Sequence, residues 1–240
     1  IYSVEQRQMR ENIYTRYLSD WVNEKQLIND DFLEQGKLLG FDITIRRRFV
    51  VCSLDHKQSG DVVSYLQQTE ESKKALKDHV SRLHPDNIYF EEGHFIVCAI
   101  IAKDDHDLVE QMSSVVSEIE SNYDVTLRVG VDSAVADYRF AKKAYYQASK
   151  ANQTCIRKKY VPIVFYDDLH LELFSNELDY TVKKEFINRL FKRCTPQEVG
   201  EMMHFLGTYY HYDGSIQEVS KKRYIHKNTT QNRLHSIIEV

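Results

Sequence analysis

The side chains best placed to do chemistry gather at the end of the chain. From Ser215 to Val240 there are five cationic groups, Lys221, Lys222, Arg223, Lys227 and Arg233, against two carboxylates, Glu218 and Glu239. The 240-residue chain as a whole carries −4. Local charge opposite in sign to the rest points to a polyanionic partner, although a basic, solvated helix face leaves the same pattern. Amide and hydroxyl groups are interleaved with the cations. Asn228 and Gln231 can pair with adenine edges, Lys227 and Arg233 with guanine or phosphate, and Thr229 and Thr230 with phosphate or a thymine methyl.

Such groups must be presented by helices. Ser215 and Glu218 have the Ser-x-x-Glu spacing of a capping box and start a short helix from Ile216 to about Arg223. Tyr224 to His226 make a tight turn, and Lys227 to Glu239 form a second helix held by Leu234, Ile237 and Ile238. A preceding helix, Pro196 to Tyr212, supplies Val199, Met202, Met203, Leu206 and Tyr210 as a core and is stopped by Asp213-Gly214. Two short helices joined by a turn, the second basic, are what major-groove reading requires.

Elsewhere the chemistry is sparse. His204 and His211 share a helix face without a carboxylate or cysteine partner, and no His-Glu-x-x-His, Gly-x-Ser-x-Gly or phosphate-cradling glycine loop occurs. No catalytic residue, metal ligand or cofactor is expected. Cys52, Cys98, Cys155 and Cys194 stand far apart and read as free thiols, which suits a reducing cytoplasm. No apolar run reaches the roughly 18 residues of a membrane span. The chain opens with neither Met nor a signal-peptide core, so it reads as a fragment or a processed product.

The remaining elements follow from periodicity. Met9, Ile13, Tyr17 and Trp21 recur at helical spacing, and a second helix runs from Asp30 to Leu39 with Gly40 as its C-cap. Strands are predicted at Phe49–Leu54, Asn87–Phe90, His94–Ile101, Thr126–Val131 and Val161–Tyr166. Helices are predicted between the first two strands, at Asp105–Ser121 and at Tyr138–Asn152, the last capped by Asp137. The order β-α-β-β-α-β-α-β gives an α+β fold with one mixed sheet and packed helices, followed by an all-α domain. The expected divisions are a helical linker or dimerisation segment at 1–40, the sheet domain at 41–166 and the helical domain at 167–240. Without a partner in the chain, the Met9-to-Trp21 stripe is expected to pack on a second copy, as a homodimer, or on the sheet domain.

Two resemblances build on these residues. "YFEEGHFIVCAI" and "LRVGVDSAVADYRFAKKAYYQASKANQ" look like the GGDEF fold of diguanylate cyclases, over roughly Phe41 to Tyr166. The five motif positions fall on Glu91, Glu92, Gly93, His94 and Phe95, and only the Phe is kept. Two glycines that let backbone approach phosphates have become glutamates, and two metal-binding acids have become Gly93 and His94. Asp55 is one acid at the end of the first strand, and one does not make a two-metal site. The resemblance therefore implies a degenerate, non-catalytic GGDEF-like domain.

"DGSIQEVSKKRYIHKNTTQNRL" resembles the C-terminal helix-turn-helix of the PucR/CdaR (sugar diacid regulator) transcription factors, whose pattern His-Arg-Asn-Thr-Leu-x-Tyr-Arg-Leu falls on His226 to Leu234. That family also places a GGDEF-like domain before this element. The resemblance implies a bacterial, cytoplasmic regulator that binds double-stranded DNA through Lys221, Lys222, His226, Lys227, Asn228, Thr229, Thr230, Gln231 and Arg233. It implies a small-molecule effector taken by an N-terminal sensor domain not in this chain. The family's Ala is Ser220, one Leu is Arg223, and the recognition-helix Leu and Tyr are Thr230 and Asn232. Such exchanges are expected to weaken the helix pair by about 1–3 kcal/mol per buried site. A regulator without DNA binding, or a nucleotide cyclase, remain the alternatives.

Overall fold

The structure is a computed structural model and describes residues 2–56, 62–158 and 161–238. It divides into two compact units, the first ending at Leu173 and the second beginning at Phe174.

The first unit contains α1 (Tyr2–Asn23), α2 (Asp30–Leu39), β1 (Arg48–His56), α3 (Val62–Leu83), β2 (Ile88–Glu92), β3 (Phe95–Ile100), α4 (Asp105–Asn122), β4 (Val125–Val131), α5 (Ala141–Lys158) and β5 (Ile163–Phe165). The five strands form one mixed sheet in the order β2-β3-β1-β4-β5. All neighbours are antiparallel except β4 and β5. β1 is central, with Val50 opposite Cys98 on one side and Val131 on the other.

Alternation along these strands sends residues to two covered faces, which explains their nearly continuous apolar runs. On one face Val50, Cys52, Ile96, Cys98 and Leu127 meet Leu76 and Val80 of α3 and Leu108, Met112 and Ile119 of α4. On the other, Phe49, Val51, Ile88, Phe90 and Val97 meet Tyr17, Leu18, Trp21 and Val22 of α1, Phe32 of α2 and Ala141, Ala144 and Ala148 of α5. The lower half of the α1 stripe is therefore committed to the sheet. Tyr17 and Trp21 are 3 % and 1 % exposed, whereas Met9 and Ile13 remain 67 % and 43 % exposed.

The alanines of α5 have a geometric reason. Gly130 on β4 lies so close under this helix that a Cβ would overlap the backbone of Ala148 and Asn152. Asn152, fully buried, reaches down with Nδ2 to the carbonyls of Val51 (3.1 Å) and Arg128 (2.7 Å) on adjacent strands. The helix begins later than its sequence pattern predicts, after a 3-10 turn at Tyr138–Phe140 whose N-cap is Asp137. β5 is shorter than predicted, because Tyr166 already opens a second 3-10 turn.

At the far end of β1 the buried Arg48 donates from Nε to Asp132 (2.6 Å) and also pairs with Asp105 at the start of α4. Asp132 takes the Phe49 amide as well. Burial pushes its carboxyl up to about 6, against the pull of that amide and of Arg48.

The second unit contains the end of α6 (Leu171–Glu177), then α7 (Tyr180–Leu190), α8 (Pro196–His211), α9 (Ile216–Arg223) and α10 (Lys227–Ile238). The start of α8 carries a complete capping box between Thr195 and Glu198, with Pro196 in the first turn. The box expected at α9 is only half made. Ser215 Oγ accepts from the Glu218 amide (3.4 Å), but the Ser215 amide already donates to the Tyr212 carbonyl (2.8 Å), and Glu218 turns to Lys221 instead (2.9 Å).

Candidate nucleic-acid interface

Three helices build the candidate interface. Phe205 of α8, Val219 of α9 and Thr230 of α10 are buried, Leu234 and Ile237 are half-buried, and Thr230 meets Ser220 of α9. The chain turns between α9 and α10 at Tyr224, whose φ of 53° is left-handed and whose ring is 95 % exposed. The Tyr224 and Ile225 amides bond back to the carbonyls of Lys221 and Ser220, closing the end of α9. A Gly would take this conformation more easily, so the tight packing of α10 on α9 sustains a modest strain here.

The turn leaves Lys221, Lys222, His226, Lys227, Asn228, Thr229 and Gln231 exposed. At 100° per residue, Asn228 lies on the side of α10 opposite Thr230, Leu234 and Ile237, with Gln231 on the flank and Lys227 in the first turn. Asn232 and His235, not singled out from the sequence, fall on that same outward face and are exposed. His226 caps the helix, accepting the Asn228 amide at Nδ1 (3.2 Å), which leaves its other ring nitrogen for a ligand.

Two of the expected contact residues are placed differently. Thr230 is fully buried and cannot reach phosphate or a base. Its hydroxyl meets Ser220 Oγ at 2.7 Å and donates to the His226 carbonyl. Arg233 is exposed on the flank of α10 and lines a cavity of about 460 Å³ with Arg193, Glu198, Glu201 and Phe205. Of the two carboxylates in this stretch, Glu218 is bound to Lys221 and Glu239 lies outside the described residues.

The exchanged residues Ser220, Thr230 and Arg223 all have partners. Ser220 and Thr230 replace an apolar contact by a mutual hydrogen bond, so neither hydroxyl is stranded. Arg223 lies over the ring of Phe205 (5.6 Å) and donates to the His204 carbonyl (3.3 Å), spanning α8 and α9 instead of burying a bare charge.

In the sheet unit, the positions that resemble a nucleotide-binding hairpin have structural partners. Alternation sends Glu91 and Glu92 to opposite faces. Glu91 Oε2 pairs with Lys73 of α3 at 2.7 Å, and Glu92 Oε1 accepts from Asn23 of α1 at 3.0 Å. Burial pulls the Lys73 ammonium down, but Glu91 and Glu70 outweigh it and hold its pKa above the ordinary value. Gly93 occupies the turn with φ of 62°, and His94 packs on Phe95 with ring centroids 3.9 Å apart. Asp55 is exposed, three residues past the last β1–β3 pair, Cys52 and Ile96. Among the described residues no three His, Cys, Asp or Glu side chains are grouped to hold a metal.

Comparison with known proteins bears on the whole chain. Over 235 residues it is 24 % identical to the uncharacterized protein YsfB of Bacillus subtilis (strain 168), an alignment covering 96 % of this chain and 59 % of that protein. The chain thus spans less than two thirds of this curated relative. The crystal structure of a regulator of polyketide synthase expression from Bifidobacterium adolescentis aligns with 95 % of this chain and 88 % of its own, at 13 % identity and a TM-score of 0.38, too low to establish a common fold. The family model for the GGDEF-like domain matches residues 24–154, which begins just after α1 and takes in α2, α3, α4, the first four strands and most of α5. That span is more than half of the chain, and with the sheet, hairpin and helices it describes, the chain belongs to the GGDEF-like domain family.

Proposed function

We propose that this chain is the regulatory and DNA-binding portion of a PucR/CdaR-type transcriptional regulator, cytoplasmic and acting as a homodimer. The observation that carries the reading is the outward face of α10. Asn228 and Gln231 stand exposed on α10, as do Lys227 in its first turn and Lys221 and Lys222 in the last turn of α9, and α10 meets α9 through the Ser220–Thr230 hydrogen bond. Amides on the recognition helix supply base readout, and the lysines at the helix ends and turn supply phosphate contact. On this reading the GGDEF-like unit relays a signal, and effector sensing belongs to a part of the protein outside these residues.

The test is a set of binding isotherms on promoter DNA at several salt concentrations. Asn228→Ala should relax preference at one operator position, at a cost of about 1–3 kcal/mol there. Lys227→Ala should weaken binding to all sequences alike and lower the salt slope by about one unit. If neither change alters affinity for any DNA, the helix pair binds protein instead and the reading fails.

The hairpin supports a non-catalytic sheet unit. A glutamate held by Lys73 and another held by Asn23 occupy the places where backbone would cradle a triphosphate. Incubation with GTP and Mg²⁺ or Mn²⁺ is therefore expected to give no cyclic dinucleotide. Product that disappears on changing Asp55 would restore the cyclase alternative.

A further inference from the structure

α7 leaves its apolar side in solvent. None of its eleven residues is buried, and Tyr180, Val182, Phe186, Ile187 and Leu190 are 74, 52, 65, 50 and 49 % exposed. On the helical wheel these five span one side, with Lys183 between Leu190 and Ile187 and Arg189 at the edge beside Val182, while Thr181, Lys184, Glu185 and Asn188 form the other side. An amphipathic helix with its apolar arc uncovered marks an interaction surface.

We infer that this arc is where two copies of the chain pair, antiparallel along α7, with Phe186 on the two-fold axis. The inference rests on the dimeric part of the reading above and is independent of DNA binding. It also moves the dimer surface away from α1, whose Tyr17 and Trp21 are already used by the sheet.

Three features select a second copy as the occupant. First, Val182, Phe186 and Leu190 are spaced symmetrically about Phe186, so a two-fold there sets Val182 of one copy against Leu190 of the other. Second, the same two-fold brings one flank of the helix against itself, and that flank carries Glu185 and Arg189. Each Glu185 then lies beside the second copy's Arg189, about two residues or 3 Å apart along the axis. Within one copy these two side chains already meet, at 3.6 Å. Third, the area is of the right order. With Phe174 and Leu178 just upstream, 70 % and 36 % exposed, the segment offers about 700 Å² of apolar surface. One partner in a stable interface contributes roughly 800 Å².

The experiment is sedimentation equilibrium of the full chain without DNA, comparing wild type with Phe186→Glu. It is joined by oxidative cross-linking of Phe186→Cys in a Cys194→Ser background, since the other three cysteines are buried. Wild type should be dimeric, Phe186→Glu should raise the dissociation constant by about 30-fold or more, and Phe186→Cys should form an intermolecular disulfide. The helical circular dichroism of Phe186→Glu should match wild type, because the position supports no core. A dimer unaffected by Phe186→Glu overturns the α7 interface and leaves the dimeric reading standing. A wild-type chain that stays monomeric at high concentration overturns both. A dimer that Phe186→Glu dissociates, but that yields no cross-link at 186, overturns the antiparallel register.

Discussion

Trp21→Ala should lower the stability of the sheet unit by about 4 kcal/mol, read as a shifted urea transition in circular dichroism. The indole is 1 % exposed and packs against Phe49 with ring centroids 5.4 Å apart. Its Nε1–H donates to the Tyr138 carbonyl at 2.8 Å, tying α1 to the turn that leads into α5. Alanine removes the volume and strands a carbonyl at once. Trp21→Phe keeps most of the packing and loses the hydrogen bond, so it should cost much less, about 1–2 kcal/mol. A loss under about 1 kcal/mol for the alanine variant would mean that α1 is an appendage and not part of the core.

A methyl group at position 130 should be nearly as damaging. Gly130→Ala places a Cβ against the backbone of Asn152 and Ala148, which no side-chain rotation can relieve. Either α5 lifts off the sheet, parting Asn152 from the Val51 and Arg128 carbonyls, or β4 deforms. A cost of about 3 kcal/mol or more is expected. Gly207→Ala on α8 is the matched control, since nothing lies within 4 Å of its added carbon. There the gain in helix propensity should stabilise the second unit, by about 0.5–1 kcal/mol. Equal effects at the two positions would exclude close helix–sheet approach as the reason for Gly130.

Much of this architecture is legible in the sequence because its strands are strongly patterned. FVVCSL and HFIVCAI are too apolar and β-branched to be anything but two-faced strands, and each helix between them shows a single apolar stripe. Gly40, Asp137 and Ser215 act as caps because their local chemistry alone decides it. What pattern could not supply is pairing at a distance. Ser220 and Thr230 read singly as two damaging exchanges, and only tertiary structure shows that each hydroxyl answers the other. Glu91 and Glu92 read as repulsive toward a phosphate, while their partners, Lys73 and Asn23, lie on helices from both sides of the sheet. The amphipathic arc of α7 was in the sequence too, but an apolar stripe reads as core until the fold leaves it uncovered.

Trp21 is the one tryptophan in the chain, and it lies in the first unit. Selective excitation of indole therefore sees the sheet unit alone, while the helical unit from Phe174 onward, rich in tyrosine, is dark at that wavelength. The emission of Trp21 in its dry, hydrogen-bonded setting should move to longer wavelength only when the sheet unit opens. A DNA duplex bound at α10, as proposed above, would sit on the other unit, so any change it caused in the denaturant midpoint of that emission would measure energetic coupling between the two units. The native chain thus carries its own optical test of whether the two units communicate, with no label added.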